Sequence, residues 1–184
     1  MTNRIINKLK SMAMCLLPLD KQARMAGVTI GEGTWIASHF WSSEPYLITI
    51  GKHCQITSGV LIHTHGGGGQ ATRKQIPDFD CFGKVSIGDY VYIGTRASIM
   101  PGVTIGDNVL VAGESVVTKS VPSNSVVAGN PARFICTLDE YKAKNLPFNT
   151  SSKFLSAKAK KRLLLSLPNN KFITKPMLTV PESK

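Results

Sequence analysis

The sequence contains no apolar run approaching the ~20 residues that a bilayer span requires, which argues against a transmembrane protein. It also has no Cys-x-x-Cys pair. Cys15, Cys54, Cys81 and Cys136 lie far apart, which excludes a zinc ribbon or a thioredoxin-type motif. Nothing marks an export route, so reduced thiols in a cytoplasmic protein are expected, with the inner face of the membrane as the alternative location. The middle of the chain lacks a basic stripe. Residues 26–132 carry six basic and seven acidic side chains. The overall charge of +11 comes from the ends: five basic against one acidic in residues 1–25, and eleven against three in residues 133–184. A nucleic-acid binder places its cations on the folded docking face, so nucleic acid is not expected as a partner. Basic tails suit a membrane surface, an anionic polymer or cofactor phosphates. With 184 residues and a hydrophobic fraction of 42%, the chain is a globular domain with at most a small appendage.

The N-terminus superficially resembles a signal peptide, with Arg4, Lys8 and Lys10 before an apolar stretch from Met12 to Leu19. That stretch is short, broken by Pro18, and followed by no small-x-small cleavage site. Ile5, Leu9, Met12 and Leu16 fall on one stripe of a helix. The stripe suits packing on the body or on a neighbouring subunit better than a membrane-surface helix, because it is short.

An internal repeat dominates the middle of the chain. Ile87, Ile93, Ile99, Ile105, Val111 and Val117 recur every six residues, each preceded two positions earlier by Val85, Val91, Ala97, Val103, Val109 and Ser115. A period of six would scatter these residues around a helix, whereas in extended chain i−2 and i share a side. Each hexad is therefore a short strand and a turn, and three hexads make an 18-residue coil of a solenoid. I-G-D-Y-V-Y-I-G from Ile87 returns as I-G-D-N-V-L-V-A-G from Ile105. Earlier copies start at Ile30 and Ile50, and their spacing leaves a two-residue excess between Ile36 and Ile48 and a 19-residue excess after Ile62. The longer excursion is assigned to residues 65–84. Glycines at 31, 51, 88, 94, 102 and 106 fall near strand boundaries, as tight turns favour. The expected organisation is an N-terminal helical segment (1–27), an all-β solenoid of about four to five coils (28–132), and a C-terminal helical cap with a basic tail (133–184), including helices over 137–144 and 151–167.

Several segments carry a resemblance: S-E-P-Y-L-I (43–48), T-S-G-V-L-I-H-T-H-G-G (57–67), P-G-V-T-I-G-D-N-V-L (101–110), S-V-V-T-K (115–119) and V-A-G-N-P-A-R (127–133). Residues 28–132 resemble a hexapeptide-repeat acyltransferase, in its sugar O-acetyltransferase branch, which includes galactoside, nodulation-factor and capsular-polysaccharide acetyltransferases. The resemblance implies a left-handed parallel β-helix, where the general preference for right-handed crossovers suggests the opposite. It further implies acetyl-CoA as co-substrate, a sugar or polysaccharide-precursor acceptor, and a homotrimer with active sites between subunits. Three positions depart from the common pattern: Tyr92 stands where many relatives have Trp, Glu114 where they have a small residue, and Gly67 where some have a second histidine.

Transfer of acetyl to a hydroxyl needs a base for the proton and donors for the developing oxyanion. Histidine suits the base role. His63 and His65 alternate, so they share the outward face, and the residues leave either eligible. The resemblance implies His65, the histidine after a threonine, with Glu44 as an orienting acid. His39, between Ser38 and Ser43, is a candidate for the acceptor site, as are Arg73, Lys74 and Asp80 in the excursion. Asp78 or Asp80 could orient the imidazole. By register Ser58, Thr95, Gly113 and Gly129 form a ladder up the coils, a path for a pantetheine arm. Thr118, Lys119 and Arg133 lie at its far end, where the resemblance implies the coenzyme's phosphates and adenine; Lys and Arg are the right chemistry for phosphate. No metal is expected. Alternatives are N-acetylation of an amino sugar or xenobiotic amine on the same scaffold, a metal-binding or non-catalytic β-helix using the His63-x-His65 pair, and polyanion binding by the tails.

Overall fold

The computed structural model describes residues 17–177, so the stripe from Ile5 to Leu16 lies outside the described residues. The chain divides into two compact units, one ending at Leu138 and one starting at Asp139.

Among its described residues the first unit begins with α1 (Leu19–Ala26) and then winds as a solenoid of three strands per coil. The first coil contains β1 (Thr29–Ile30), β2 (Trp35–Ile36) and β3 (Phe40–Trp41). The second contains β4 (Ile48–Ile50), β5 (Gln55–Ile56) and β6 (Leu61–Ile62), and is followed by an excursion with the short helix α2 (Gly69–Thr72). The third contains β7 (Val85–Ile87), β8 (Tyr92–Ile93) and β9 (Ser98–Ile99), and the fourth β10 (Thr104–Ile105), β11 (Leu110–Val111) and β12 (Val116–Val117). A last partial coil supplies β13 (Ser125–Ala128). Corresponding strands pair in parallel to give three sheets. The sheet order is β1-β4-β7-β10 on one face, β2-β5-β8-β11-β13 on the next and β3-β6-β9-β12 on the third.

The hexad pattern becomes columns of buried side chains. Ile30, Ile50, Ile87 and Ile105 stack in register. So do Ile36, Ile56, Ile93, Val111 and Val127, and Trp41, Ile62, Ile99 and Val117. All but Trp41 are buried. A two-residue strand has almost no stability alone, and each coil buries its apolar side chains only against its neighbours.

Most of the boundary glycines serve close approach rather than turn conformation. A Cβ on Gly51 would lie 2.5 Å from the Gly88 carbonyl oxygen one coil away. The left-handed turn positions are held mostly by other residues, His53, Tyr90, Arg96, Asn108, Glu114 and Asn124, together with Gly33 and Gly59, and of the six boundary glycines only Gly102 has a positive φ.

Two segments depart from the sequence expectation. Residues 133–137, placed by periodicity with the helical segment, form β14 (Arg133–Thr137), antiparallel to β13. The last coil would otherwise present a row of unpaired backbone groups, and this strand satisfies them. Further on, α3 (Leu138–Asn145) forms close to its expected place, but residues 151–155 are not helical. The basic helix α4 is Ala157–Ser166, started by Ser156, whose Oγ accepts from the Ala159 N–H at 3.3 Å.

Because the columns are close-packed, Ile93→Ala is expected to destabilise the protein by about 2–5 kcal/mol in urea unfolding followed by circular dichroism. Thr49→Ala, on the exposed outer face of β4, should stay within about 0.5 kcal/mol of wild type. Equal effects at the two positions would contradict the columnar core.

Candidate active site

Register builds the site. Trp41 of the first coil stacks on Ile62 of the second. Three residues beyond each lie Glu44 and His65, so both sit on the same corner of successive coils. The two-residue excess of the first coil resolves here. Five residues, not six, separate Ile36 from Trp41, and nine separate Trp41 from Ile50. The surplus forms a 3-10 turn, Pro45–Leu47, with Glu44 at its start. The second coil has the 19-residue excursion at this corner, α2 included. Its stem is closed by the Gly83 N–H donating to the Thr64 carbonyl at 2.7 Å and by an antiparallel bridge between His65 and Phe82. Phe82 also lies beside the imidazole, with ring centroids 6.1 Å apart.

The His65 imidazole meets the Glu44 carboxylate, with Nδ1 2.9 Å from Oε2. Thr64 Oγ1 donates to the same Oε2 at 2.9 Å. The hydroxyls of Ser42 and Ser43 lie 3.2 and 3.3 Å from Nδ1. A carboxylate acceptor assigns the proton to Nδ1, and this leaves the Nε2 lone pair free to accept a proton. The Glu44 side chain is 16% exposed and that of His65 37%, so the imidazole can be reached and the carboxylate beside it is shielded. Partial desolvation raises the Glu44 pKa. Hydrogen bonds from Thr64, His65 and Ser43, and the charge of His65, together outweigh it and hold the carboxyl below its ordinary value.

The other candidates are distributed as follows. His63 is half-buried and, with His39, Phe40, Trp41, Ser42, Leu61 and Ile62, lines a pocket of about 340 Å³. Ser42 joins that pocket to the His65 corner. Asp78 and Asp80 do not orient the imidazole: Asp78 is exposed, and Asp80 is exposed and accepts from the neighbouring Cys81 N–H. Glu44 holds that role. Arg73 turns back into its own loop, its Nε donating to the Phe79 carbonyl at 3.3 Å, and Lys74 is exposed. Ser58, Thr95 and Gly113 follow one another in register, with the Glu114 N–H donating to the Thr95 carbonyl. Gly129 leaves this ladder: its N–H donates to Ser115 Oγ and its carbonyl accepts from the Val116 N–H. Glu114 pairs with Arg96 of the coil before. Lys119 and Arg133 line a second pocket, about 480 Å³, with Val117, Val121, Pro122 and Phe134. Thr118 is exposed beside it in sequence and is not part of its lining. Among the described residues no group of three His, Cys, Asp or Glu side chains is placed to hold a metal ion.

The hydroxyls of Ser42, Ser43 and Thr64 were not anticipated. The signal for them is the 21-residue offset between Glu44 and His65, one coil plus three, which carries their neighbours into contact as well.

Comparison with known proteins places the chain. The profile described as bacterial transferase hexapeptide (six repeats) matches residues 84–119. Protein CapG of Staphylococcus aureus is 44% identical over 150 residues, covering 80% of this chain and 87% of that protein. The chain belongs to the hexapeptide-repeat acyltransferase family. Galactoside O-acetyltransferase of Escherichia coli K12 is 30% identical to this acyltransferase over 132 residues, covering 61% of the chain and 64% of that enzyme. A hexapeptide-repeat acetyltransferase of Vibrio cholerae, solved in complex with acetyl coenzyme A, aligns with a TM-score of 0.56 and 33% identity over 61% of each chain. The solenoid is thus a left-handed parallel β-helix, as in its structural neighbours.

The lowered Glu44 pKa has a stability consequence of definite sign. A carboxyl with a depressed folded-state pKa contributes stability above its unfolded value, about 4.3, and loses it as pH falls through the folded value. In paired denaturant titrations, the gap between wild type and Glu44→Gln should close as pH falls below about 4. A gap that persists undiminished in strong acid would contradict the geometry.

Proposed function

We propose that this acyltransferase uses acetyl-CoA to acetylate a sugar hydroxyl in surface polysaccharide assembly, with His65 as general base. The observation that carries the proposal is the 2.9 Å contact between His65 Nδ1 and the shielded Glu44 carboxylate. It leaves Nε2 to take the acceptor's proton and stabilises the imidazolium that results. Acetyl-CoA supplies the acetyl group as an activated thioester. His65 removes the hydroxyl proton as the oxygen attacks the carbonyl carbon, and then gives that proton to the departing thiol. Backbone N–H groups hold the developing oxyanion. No covalent acyl-enzyme is invoked: Cys54 is buried, with its thiol pKa raised by burial.

The residues present fit the coenzyme. The pocket holding Lys119 and Arg133 offers two cations to phosphates beside an apolar floor of Val117, Val121 and Phe134. Thr95 and Gly113 provide a path with little side-chain bulk. The pocket of His39, Phe40 and His63 is assigned to the acceptor, since it combines an aromatic face with two polar rings and adjoins Ser42. A homotrimer with sites between subunits accords with the outer faces of the prism. The β1-β4-β7-β10 face turns Thr29, Thr49, Ser86 and Thr104 outward, while the next presents Trp35 and Tyr92, and the third Phe40 and Leu61. The two less polar faces are the ones suited to subunit contact.

Calorimetric titration of acetyl-CoA, with acetyl transfer to candidate sugars, tests the proposal. His65→Ala should lower kcat by about 10²–10⁴-fold while leaving acetyl-CoA affinity within about twofold. Arg133→Ala should weaken acetyl-CoA binding by about tenfold or more. No saturable binding at millimolar acetyl-CoA would overturn the assignment.

A further inference from the structure

The second unit carries a charged and apolar pattern that the candidate site does not include. Its described residues, 139–177, hold nine basic and two acidic side chains. One of the nine, Lys142, pairs with Asp139. In α4, Ala159, Leu163 and Leu164 are half-buried, while Lys160, which falls among them on the helical wheel, is exposed. Lys158, Lys161, Arg162 and Leu165 are exposed, at i, i+3, i+4 and i+7, so they share the outward side. Leu165 is 77% exposed on that side. Among the described residues, none of these three cations pairs with a carboxylate. Phe154, four residues before Lys158, is 97% exposed.

We propose that this outward face of α4, Leu165 together with Lys158, Lys161 and Arg162, docks the protein on an anionic lipid bilayer. Both halves of the pattern are needed to choose this partner. Unpaired cations alone would serve any polyanion. An apolar side chain held beside them gains nothing from a nucleic acid backbone or a soluble polyphosphate, which offer no apolar layer. A bilayer offers a layer of anionic headgroups with hydrocarbon immediately beneath. The 10 residues of the helix span about 15 Å, so it lies along the interface and does not cross it. Phe154 adds a second apolar anchor from the same unit. Each cation near an anionic surface strengthens binding about fivefold, and three together about a hundredfold.

The test is cosedimentation of the full-length protein with vesicles of phosphatidylcholine alone and of phosphatidylcholine mixed with phosphatidylglycerol, at low and physiological salt. Wild type should bind the anionic vesicles only, more weakly as salt rises. The triple variant Lys158→Glu, Lys161→Glu, Arg162→Glu should lose binding by about a hundredfold or more. Leu165→Asp, tested alone, should also weaken it clearly. Leu165→Trp should give a blue-shifted emission on adding anionic vesicles, because the ring enters the hydrocarbon edge. All four positions are exposed, so circular dichroism should report unchanged folding. Should the triple variant unfold, the two Leu165 variants decide the matter. Failure of wild type to bind anionic vesicles, equal binding to both compositions, or wild-type binding by the triple variant and Leu165→Asp would overturn the proposal. Capture by soluble polyphosphate, with no emission shift of the Leu165→Trp variant on vesicles, would overturn it in favour of a solution polyanion. Catalytic assays with a water-soluble acceptor read the acetyl-transfer proposal separately, since these residues lie outside the site described above.

Discussion

Stacking in register is the constraint on which the solenoid depends. Its strands are two to three residues long through the first four coils, too short to stand alone. Each gains stability only when its inward Ile or Val lands on the one below and its backbone pairs with the coil on either side. That demand fixes the inter-coil distance near about 4.8 Å, which in turn decides what the corners tolerate. At Gly51 the neighbouring carbonyl leaves no room for a Cβ. At the adjoining turn positions the chain accepts His53, Tyr90 and Asn108 in left-handed conformation. The repeat thus takes its strain in φ where space is open and omits side chains where it is not.

The same constraint builds the candidate site. A corner is where a solenoid can gain residues without disturbing its columns. The first two coils gain them at the same corner, a few in one and a long excursion in the other. The strand register that holds Trp41 over Ile62 therefore holds Glu44 against His65. The register brings the two side chains together, and the 3-10 turn at Glu44 and the bridged excursion stem at His65 hold them at 2.9 Å. Partial burial raises the Glu44 pKa, and the hydrogen bonds it accepts, with the charge His65 carries when protonated, lower it by more. An ionised Glu44 is what assigns the proton to Nδ1.

How far this could be read in advance follows from the physics of each element. The columns were legible because burial enforces a strict period, and the excursions because they interrupt it. The roles proposed for His65 and Glu44 come from resemblance, while their contact is contained in the 21-residue offset. Strand β14 was hidden because an antiparallel edge strand obeys no coil period, even with the β-favouring Phe134, Ile135 and Thr137 in it. The start of α4 was misplaced because Leu155 continues the apolar spacing of the helix, while the Ser156 cap, a local hydrogen bond, sets the actual boundary. Asp78 and Asp80 were reasonable partners for a histidine at the root of their own loop. The coil below supplied a nearer one.

The pairing of Arg96 with Glu114 extends the argument to variation. Glu114 stands where the family resemblance implies a small residue, next to Gly113 on the ladder proposed for the coenzyme. Alone, a carboxylate there would oppose an anionic ligand. Arg96 occupies the equivalent turn one coil earlier, 18 residues away, and both residues adopt left-handed φ. Their guanidinium and carboxylate meet across the coil spacing, so their opposite charges offset one another at the turn. In a solenoid the partner of any corner residue is set by the coil length. A change at one turn is compensated most directly at the turn one coil away, and departures from a repeat pattern should be weighed as such pairs.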